Sequence, residues 1–530
     1  MKQFIFYFFM MAYSIACAAQ TPKPTIHSLT GIGSVGSDAV MPDVVTTPDG
    51  GFIVKYTIYT SVAGSSPLDS LCNVTTGLRI IFAKYNADAS VLEWTTCSAT
   101  TNVDSFVYHI ETLPNGDSVV FEEHTGKTVA ISKYDASGNL LWKQYHGAIN
   151  GIGNFYRGTP RITLDGGYIV LGMTQYADTN FTFHYGGWQD GDFTVYKIDS
   201  LGNKQWSKVF GGSGNDIPVG IFNSDNGGWL IIGRSNSGDY DAVGNKGGYD
   251  AYIAKIDDTG KLLWHKNIGG SEPDGIFGAI SNKKNGVYLA GTTYSKDGDV
   301  QHHKSSGYKA NMWLMEVDNF GQLLWENCYG GGGREAASTV SEATDGSLWI
   351  AGISEESGGQ VDTNYGDGDA FIVNTDNVGN LLSALVLGSS STWTDDVGQM
   401  LHPLPQGKVL LGGRYGVNDK SFSSLSINGA HDVYLAKLSP NATNIFENTP
   451  QHFQTPFKAY PNPAKDILQI EVFDTKEYTL TIHDNTGKKV VEQKTKGNKS
   501  INISDWAAGI YYIQYSNSIK EMYQQKIIIR

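Results

Sequence analysis

Two pairs of aspartates have the spacing at which carboxylate oxygens can bind a divalent cation. They are Asp239 with Asp241 and Asp297 with Asp299, each pair separated by one residue. Calcium takes hard oxygen ligands at such alternate positions, but neither stretch continues into a complete EF-hand loop. Aspartates in polar loops also accept hydrogen bonds from nearby backbone amides. We therefore predict a structural role for the four carboxylates and no cofactor, with calcium as the alternative.

Aromatic side chains offer the second kind of candidate site. Phe183, Tyr185 and Trp188 stand close together in a polar stretch that also contains glycine and aspartate. Rings on a loop of a rigid scaffold can stack on sugars, which predicts a binding site for a glycan or a protein ligand. The same rings can instead pack the loop onto the strands beneath it. Both interpretations remain open from the sequence.

Motifs that identify common enzyme classes do not occur in the chain. There is no GxSxG, no HExxH and no nucleotide-binding glycine loop. The nearest match to a sialidase Asp-box, residues 224–229, has the wrong spacing. Catalytic carboxylate pairs are defined by their distance in space, so a hydrolase or lyase acting on polysaccharide is the alternative function. We favour a role in binding or adhesion, without enzymatic activity.

Four cysteines occur, and two of them suit a disulfide bond. Cys17 lies in a predicted signal peptide, whereas Cys72 and Cys97 flank a hairpin-like stretch. In an oxidising compartment this pair is expected to form a bridge that stabilises the fold by about 3 kcal/mol. Two separate buried thiols are the alternative. Cys328 is then expected to be a small buried residue of a strand.

Composition and charge favour a turn-rich β protein. The chain has 530 residues, of which 63 are glycine and only 17% carry charge, and 12% are aromatic. Such a composition is typical of β structure with many turns rather than of helices. The formal net charge of -14 argues against nucleic acid as a partner, because that partner needs a basic face.

Residues 1–19 have the pattern of a secretory signal peptide. A lysine at position 2 precedes an apolar stretch, and small residues follow it up to position 19. Cys17 allows a lipoprotein as an alternative, although Ser14 stands where a lipobox has leucine. The apolar stretch is too short for a transmembrane helix, and no later stretch is long enough. We therefore expect export and no transmembrane segment.

A repeated β-hairpin organises the rest of the chain. Its clearest copy, YDAYIAKIDDTGKLLW at residues 249–264, alternates in polarity, turns at DDTG and ends on tryptophan. In that turn, glycine is expected to supply a positive φ and aspartate to bond the backbone. The hairpin resembles the tryptophan-docking repeat of quinoprotein dehydrogenases, but it is one residue shorter and lacks their paired cysteines. Further copies end at Trp142, Trp206 and Trp325, and a weaker copy ends at Ser383.

A second landmark precedes each hairpin: a turn followed by an apolar strand that ends in glycine. These glycines stand at positions 172, 233, 291, 352 and 413, at intervals of 61, 58, 61 and 61 residues. Degenerate copies at 48–56 and 114–122 bring the number to seven. In residues 211–268 the strand candidates are 217–223, 229–234, 251–257 and 261–268. A four-stranded unit repeated at this period predicts an all-β, seven-bladed β-propeller at residues 20–440.

The seventh copy lacks its fourth strand, and an earlier stretch offers a substitute. PTIHSLTGIGS, residues 24–34, resembles the fourth strand and connector of another copy. We predict that residues 25–30 pair with residues 433–438 and complete the last blade, which removes two exposed sheet edges. Within a blade, the long loops join the second and third strands (B and C). A ligand is therefore expected on the face that carries the B–C loops.

Residues 456–530 form a separate module after a linker at 441–455. The alternation at 467–472, a hairpin within 479–491 and a strand after Gly509 predict a small β-sandwich.

Three segments of this module, PNPAKD, DNTGKKV and GIYYIQY in this order, carry a resemblance to a known family. They resemble the type A sorting domain of the type IX secretion system of Bacteroidota. The resemblance implies export, the type IX machinery as a partner, and a secreted or outer-membrane surface location. The repeats likewise resemble propellers that are often joined to this domain. The motif residues are Pro461, Asn462, Pro463, Gly487 and Gly509.

Overall fold

The computed structural model describes the greater part of the chain, and this part is almost wholly β. It contains 35 strands and two short 3-10 helices in the described residues. The chain divides into two compact units, Met1–Ala442 and Thr443–Arg530, and each is described by itself. The described residues are 23–32, 37–47, 50–60, 77–87, 89, 91–100, 105–113, 115–124, 128–135, 139–146, 160–174, 184–187, 190–224, 227–283, 286–390, 395–425, 432–440, 457–460, 464–472, 478–484, 489–517 and 522–529.

Unit 1 contains seven four-stranded antiparallel sheets among its described residues, numbered here in chain order. The strands of a sheet are lettered A to D. The first described strand, β1 (Thr25–Ile32), belongs to the last sheet. The strands of sheets 1 to 3 are β2 (Ser37–Thr46), β3 (Phe52–Thr60), β4 (Gly77–Tyr85), β5 (Leu92–Thr100), β6 (Ser105–Thr112), β7 (Ser118–His124), β8 (Thr128–Tyr134), β9 (Leu140–His146), β10 (Arg161–Ile162), β11 (Tyr168–Thr174), β12 (Asp192–Ile198) and β13 (Lys204–Phe210).

Sheets 4 to 7 continue the same order of strands, and β1 serves as strand D of sheet 7. The strand ends predicted within residues 211–268 agree with the structure to within one residue. The strands are β14 (Asp216–Asn223), β15 (Trp229–Ser235), β16 (Asp250–Ile256), β17 (Leu262–Ile268), β18 (Asp274–Ser281), β19 (Val287–Thr293), β20 (Asn311–Val317), β21 (Leu323–Tyr329), β22 (Glu335–Glu342), β23 (Leu348–Ser354), β24 (Asp369–Thr375), β25 (Leu381–Leu387), β26 (Val397–Pro403), β27 (Val409–Tyr415) and β28 (Asp432–Ser439). The two 3-10 helices are Tyr240–Ala242 and Lys420–Phe422.

The turn between β16 and β17 explains why the repeated sequence folds as a hairpin. The side chain of Asp257 accepts hydrogen bonds from the backbone N–H groups of Thr259 (2.9 Å) and Lys261 (3.0 Å). Gly260 has a φ of +80°, a conformation that strains residues with a β-carbon. The predicted roles of aspartate and glycine are therefore confirmed in this turn. The same backbone bonds recur in the equivalent turns at Asp199, Asp318 and Asp376.

In the hairpins that end on tryptophan, this side chain packs against the turn of the next sheet. A β-carbon placed on Gly260 would lie 2.8 Å from Cζ3 of Trp206, and one on Gly321 would lie 2.7 Å from Cζ3 of Trp264. The glycine therefore permits the positive φ of the turn and also leaves room for the neighbouring ring. The equivalent contacts join Trp142 to Gly202 and Trp325 to Gly379.

Sheet 7 is completed by β1, which pairs antiparallel with β28. Thr30 lies opposite Leu435, so the pairing predicted between residues 25–30 and 433–438 is observed. This sheet has no C–D turn, and Ser383 of sheet 6 occupies the position that tryptophan has in other copies. At the following junction, Ala89 takes the place of the turn glycine, with a φ of +60°. The tryptophan–glycine pattern is thus interrupted where the first and last strands of the unit meet.

Neighbouring sheets pack through shared hydrophobic clusters. Ile253 and Leu289 belong to the cluster between sheets 4 and 5, and Ile372 and Leu411 to the one between sheets 6 and 7. Another cluster, which includes Phe52, joins sheet 7 back to sheet 1. The A strands contact one another in the succession β14, β18, β22, β26 and β2. The arrangement of unit 1 is therefore propeller-like.

Unit 2 contains two antiparallel sheets in its described residues, of order β29-β30-β33 and β32-β31-β34-β35. Both contribute to one hydrophobic cluster, with Leu468 and Ile470 from the first sheet and Leu480 and Ile513 from the second. The two sheets therefore share one hydrophobic core. The strands are β29 (Phe457–Tyr460), β30 (Ile467–Val472), β31 (Tyr478–Asp484), β32 (Lys489–Thr495), β33 (Lys499–Asn502), β34 (Gly509–Asn517) and β35 (Met522–Ile529).

Candidate binding face

The B–C loops of unit 1 lie on the same side as the connectors between successive sheets. Because neighbouring strands are antiparallel, the end of strand B, the start of C, the end of D and the start of the next A share one side. We call this side the loop face. Its main described segments are the B–C loops 236–249, 294–310, 355–368 and 416–425 and the connectors 211–215, 269–273, 330–334 and 388–390.

B–C loops begin with a turn that is bonded to the preceding connector. In sheet 5, the carboxylate of Asp297 accepts a hydrogen bond from the backbone N–H of Ser271 at 2.8 Å. Two residues later, the backbone N–H of Asp299 donates to the carbonyl oxygen of Gly269 at 3.0 Å. These bonds hold the loops of the face in one shape. Side-chain bonds to the equivalent connector amides are made by Asp239 and Asp419.

The four aspartates considered as calcium ligands all take part in such contacts. Besides Asp297, Asp239 accepts a bond from Ser213 N (2.7 Å), and Asp299 accepts one from Gly269 N (3.0 Å). The fourth, Asp241, accepts a bond from the hydroxyl of a tyrosine in the neighbouring loop. In the described part of the chain, no three acidic, histidine or cysteine side chains are grouped as a metal site would need.

Tyr185 connects the loops of sheets 3 and 4. Its hydroxyl donates to Oδ2 of Asp241 at 2.9 Å, and its backbone N–H donates to Oδ2 of Asp192 at 2.7 Å. Burial, followed by the bond to Asp241, raises the pKa of Tyr185 to about 12. Its ring lies 4.9 Å from that of Tyr240, which is 63% exposed. Tyr185 therefore supports a second ring that faces solvent.

A second pair of tyrosines lies in the B–C loop of sheet 5. The rings of Tyr294 and Tyr308 stack at 5.0 Å with an angle of 27° between their planes. Tyr308 is 65% exposed. Sheets 4 and 5 thus each present one exposed tyrosine ring that rests on another ring. Neither Tyr240 nor Tyr308 was among the predicted site residues.

Side chains also join neighbouring loops to one another. Nζ of Lys246, in the loop of sheet 4, contacts the carboxylate of Asp299 in the loop of sheet 5. Nζ of Lys309 donates to Oε2 of Glu356 in the loop of sheet 6 at 2.7 Å and to the carbonyl oxygen of Gly332 at 2.6 Å. Both ion pairs are partly exposed, so each adds little stability but restrains the loops.

Buried carboxylate pairs lie beneath the loop face. Asp250 begins strand C of sheet 4, Asp274 begins strand A of sheet 5, and both are fully buried. Gly269 lies between them, since a β-carbon there would overlap Oδ1 of Asp250 and lie 2.8 Å from Oδ2 of Asp274. Burial, reinforced by Asp274, raises the pKa of Asp250 to about 7, and burial raises the pKa of Asp274. Comparable pairs are Asp192 with Asp216 and Asp369 with Asp396.

At the junction between sheets 5 and 6, an amide and a carboxylate occupy the two positions that hold a pair of carboxylates elsewhere. Asn311 stands in the place of the strand-C aspartate, and its Nδ2 donates to Oε2 of Glu335 at 2.9 Å. In the equivalent Asp250, Oδ1 has no hydrogen-bond partner among the described residues. A protonated carboxyl group can donate as the amide does. The raised pKa of Asp250 follows from its burial and from the nearby charge of Asp274.

The sequence contains a signal for these carboxylates at the start of strand C, and it was not among the predicted site features. An aspartate stands immediately before the apolar run of strand C, as in YDAYI, GDAFI and HDVYL. Aspartate at such a place is also typical of a turn, so the pattern alone does not indicate burial. Only the packing of strand C against the next connector removes the side chain from solvent.

Several predicted residues lie outside the described part of the chain. They are Phe183, Trp188, Cys72, Pro461, Asn462, Pro463 and Gly487. Cys97 lies on β5 opposite Ile81, and the disulfide bond stays a prediction. Gly509 is the first residue of β34. Cys328 is buried in β21, as expected, and burial raises the pKa of its thiol.

Comparison with known families identifies the module at residues 458–530. These residues match the family described as secretion system C-terminal sorting domain. The match confirms the resemblance noted from the sequence and indicates that the protein is secreted or attached to the cell surface. Among the described residues, no helix combines the length and apolar character needed to cross a membrane.

One curated protein matches part of the chain at low identity. The chain is 27% identical over 164 residues to the Regulatory protein FlaEY of Caulobacter vibrioides, a match that covers 29% of this chain and 17% of that protein. The chain thus spans less than a fifth of the length of this relative.

Similar solved structures include two proteins of unknown function. For the one from Dyadobacter fermentans, the identity is 12%, the TM-score 0.37, and the coverage 79% of this chain and 100% of that one. For the one from Bacteroides caccae, the corresponding values are 13%, 0.33, 58% and 90%. A puromycin hydrolase is similar at 10% identity and a TM-score of 0.43, over 90% of this chain and 59% of its own. Likenesses this weak indicate nothing about activity.

Proposed function

We propose that the protein is an extracellular seven-bladed β-propeller that binds its ligand through the loop face. Two observations support seven blades in a closed ring. Unit 1 has seven four-stranded sheets in its described residues, and a hydrophobic cluster links sheet 7 back to sheet 1. In this proposal β1 closes the ring as strand D of the last blade. Unit 2 is a β-sandwich that the type IX secretion machinery recognises, with the predicted signal peptide serving the first export step.

The observation that carries the binding function is the pair of exposed tyrosine rings on bonded loops. Tyr240 and Tyr308 are 63% and 65% exposed, and each rests on a second ring. Large aromatic side chains that are held in place lose little entropy on binding, and this favours their use as ligand contacts. The loops that carry them are fixed by bonds from Asp239 and Asp297 to connector amides.

A hydrolase or lyase is the less favoured alternative. A glycoside hydrolase usually needs two carboxylates that reach the substrate. The pairs found under the loop face, such as Asp250 with Asp274, are fully buried, and Gly269 lies between the two side chains. Within the described residues, these pairs give structural support rather than a cleft with catalytic acids. Trp188 and Phe183 stay predicted ligand contacts, in addition to Tyr240.

Glycan-array binding of the chain without its predicted signal peptide, residues 20–530, tests the proposal. We expect the wild-type chain to bind, and Trp188→Ala and Tyr308→Ala to weaken that binding. Leu201→Ala is the matched control, because Leu201 is 63% exposed but lies in a C–D turn on the opposite side. Loss of binding in the control, with the loop variants unaffected, would contradict the proposed face. Parallel assays with calcium and with a chelator decide whether the DxD pairs bind a metal.

Export is tested separately by removing the sorting domain. In a host with a type IX secretion system, the full chain is expected to reach the medium or the cell surface. A chain that stops before residue 458 is expected to stay inside the outer membrane, because the matched domain is missing. The Leu201→Ala chain should be exported normally. Normal export of the truncated chain would contradict the proposed role of unit 2.

A further inference from the structure

One position of the B–C turn requires a backbone conformation that glycine adopts without strain. The residue after the anchoring position has a positive φ in four sheets: +49° at Tyr240, +63° at Gly298, +58° at Gly359 and +48° at Lys420. The next residue then donates its backbone N–H to the connector. In sheets 4 to 7 the bonds are Asp241 N to Gly211 O (2.9 Å), Asp299 N to Gly269 O (3.0 Å), Gln360 N to Gly330 O (3.3 Å) and Ser421 N to Gly388 O (3.1 Å). The four turns are therefore equivalent.

Glycine suits this position for two reasons. A positive φ strains residues that carry a β-carbon. The position also faces the connector: a β-carbon on Gly298 would lie 2.5 Å from the carbonyl oxygen of Gly269, and one on Gly359 would lie 2.6 Å from that of Gly330. Sheets 4 and 7 nevertheless place Tyr240 and Lys420 there. Glycine would remove the strain at this position. A strained residue with a side chain therefore suggests that the side chain has a function.

The surroundings of Tyr240 indicate what that use is. Its ring is 63% exposed and lies 4.9 Å from Tyr185, at an angle of 37° between the planes. Tyr185 is in turn held by its bond to Asp241. Tyr240 is flanked in the chain by two carboxylates, Asp239 and Asp241. The site thus combines an exposed ring with acceptors of hydrogen bonds and no adjacent positive charge in this turn.

We propose that Tyr240 is a platform on which the sugar ring of a neutral glycan stacks. This inference rests on the proposed binding function of the loop face and names its ligand class. The apolar face of a pyranose covers the tyrosine ring, and its hydroxyl groups donate to the neighbouring carboxylates. Acidic polysaccharides are disfavoured, because uronate groups would meet Asp239 and Asp241 as like charges. Lys420 occupies the equivalent position of sheet 7 and has no ring on which a sugar could stack.

Substitution of Tyr240 by the residues found in the other sheets tests this role. We expect Tyr240→Gly to keep or raise the melting temperature, because the strain at the positive φ is removed. The same variant should bind cellohexaose, mannohexaose or xylohexaose at least tenfold more weakly in isothermal titration calorimetry, whichever of the three the wild-type chain binds. Tyr240→Lys reproduces sheet 7 and should lose binding to the same extent. Tyr240→Phe keeps the ring and should stay within about threefold of the wild type.

Other outcomes would overturn the inference without overturning the proposed function. A lower melting temperature of Tyr240→Gly with unchanged sugar affinity would make Tyr240 a packing residue of the loop. Preferential binding of oligogalacturonate would contradict the neutral ligand class. Sugar binding that is lost in Trp188→Ala or Tyr308→Ala but kept in Tyr240→Gly would leave the loop face as the binding site and remove Tyr240 from it. Failure of the wild-type chain to bind any of these sugars would reject the inference as well.

Discussion

Sheets 4 and 5 are neighbours with the same strands, the same tryptophan and the same type of connector, but their loop sides differ. At the turn position with positive φ, sheet 4 has Tyr240 and sheet 5 has Gly298. At the start of strand C, sheet 4 has Asp250 and sheet 5 has Asn311. On the opposite side, Trp264 of sheet 4 packs on Gly321 of sheet 5, as the other tryptophan–glycine pairs do.

This difference separates the part of the repeat that builds the fold from the part that can vary. The turn side repeats one packing solution, in which a ring fits against a glycine that has no β-carbon to displace it. The loop side repeats the backbone bonds but exchanges side chains, both at the surface and in the buried pairs. Copies within one chain thus serve as natural variants of each other, and substitutions that convert one copy into another isolate each effect.

The largest effect is expected on the turn side, for Gly321→Ala. Its φ of +75° strains alanine, and the new β-carbon would lie 2.7 Å from Cζ3 of Trp264. We expect a loss of about 2–4 kcal/mol in the free energy of unfolding, measured by denaturant titration. Gly346→Ala is the matched control, because Gly346 has a φ of +87° and no atom within 4 Å of its β-carbon position. It should lose about 1 kcal/mol, and equal losses in both variants would contradict the packing role.

The buried pairs are expected to give the next largest effect. Asp250→Asn converts the junction of sheets 4 and 5 into the form found between sheets 5 and 6. The amide can donate to Asp274 as Asn311 donates to Glu335, so we expect a gain of about 1–2 kcal/mol in the free energy of unfolding at pH 8.5. The reverse change, Asn311→Asp, should lose a similar amount at that pH. A loss in both variants would contradict the equivalence of the two junctions.

The same pairs predict a dependence of stability on pH. Burial raises the folded-state pKa of Asp250 and Asp216 to about 7, above the usual value of about 3.9 in unfolded chains. The stability associated with their protonated forms is complete below the unfolded pKa and is lost as the pH rises through about 7. The denaturant concentration at the midpoint of unfolding should therefore decrease as the pH is raised from 6.5 to 8.5. In Asp250→Asn this fall should be smaller, and an unchanged slope would contradict the raised pKa of Asp250.

The lower limit of that window is set by buried histidines. Burial lowers the pKa of His265 and lowers that of His402 to about 4. Such groups bind fewer protons folded than unfolded, so their contribution to stability is lost as the pH falls below about 6.5. At pH 6.5 about half of these histidines are still protonated in the unfolded chain, and they are neutral in both states only above about pH 7.5. The histidines are the same in Asp250→Asn, so the difference in slope between that variant and the wild type reports the carboxylate pair.

The repeats could be predicted from the sequence because each copy has similar residues at the positions of its strands and turns. The position of Gly260 after Asp257 indicated the positive φ, and the missing fourth strand of the last copy indicated the pairing of β1 with β28. Both conclusions depend on local patterns or on counting strands. The information is present in the chain itself.

The loop face was harder to predict because its features depend on contacts between copies. Asp250 is recognisable as a buried acid only when the connector that contains Gly269 covers it. The sequence of sheet 4 alone does not indicate the strain at Tyr240, because tyrosine is common in polar loops. Comparison of DYD in sheet 4 with DGD in sheet 5 would have indicated it. What the loop face binds depends on side chains that the repeat does not fix.

The smallest effect should come from the ion pair that joins the loops of sheets 4 and 5. Lys246 and Asp299 are each about one third exposed, so water screens their attraction. We expect Lys246→Met, which keeps the length of the side chain, to lower the free energy of unfolding by less than about 1 kcal/mol. Lys246 also donates to the carbonyl oxygen of Asn267 at 3.1 Å, so a double-mutant cycle with Asp299→Asn is needed to isolate the pair. A coupling energy well above 1 kcal/mol would contradict this expectation. It would mean that the ion pair between Lys246 and Asp299 helps to hold the loop of Tyr240 in place.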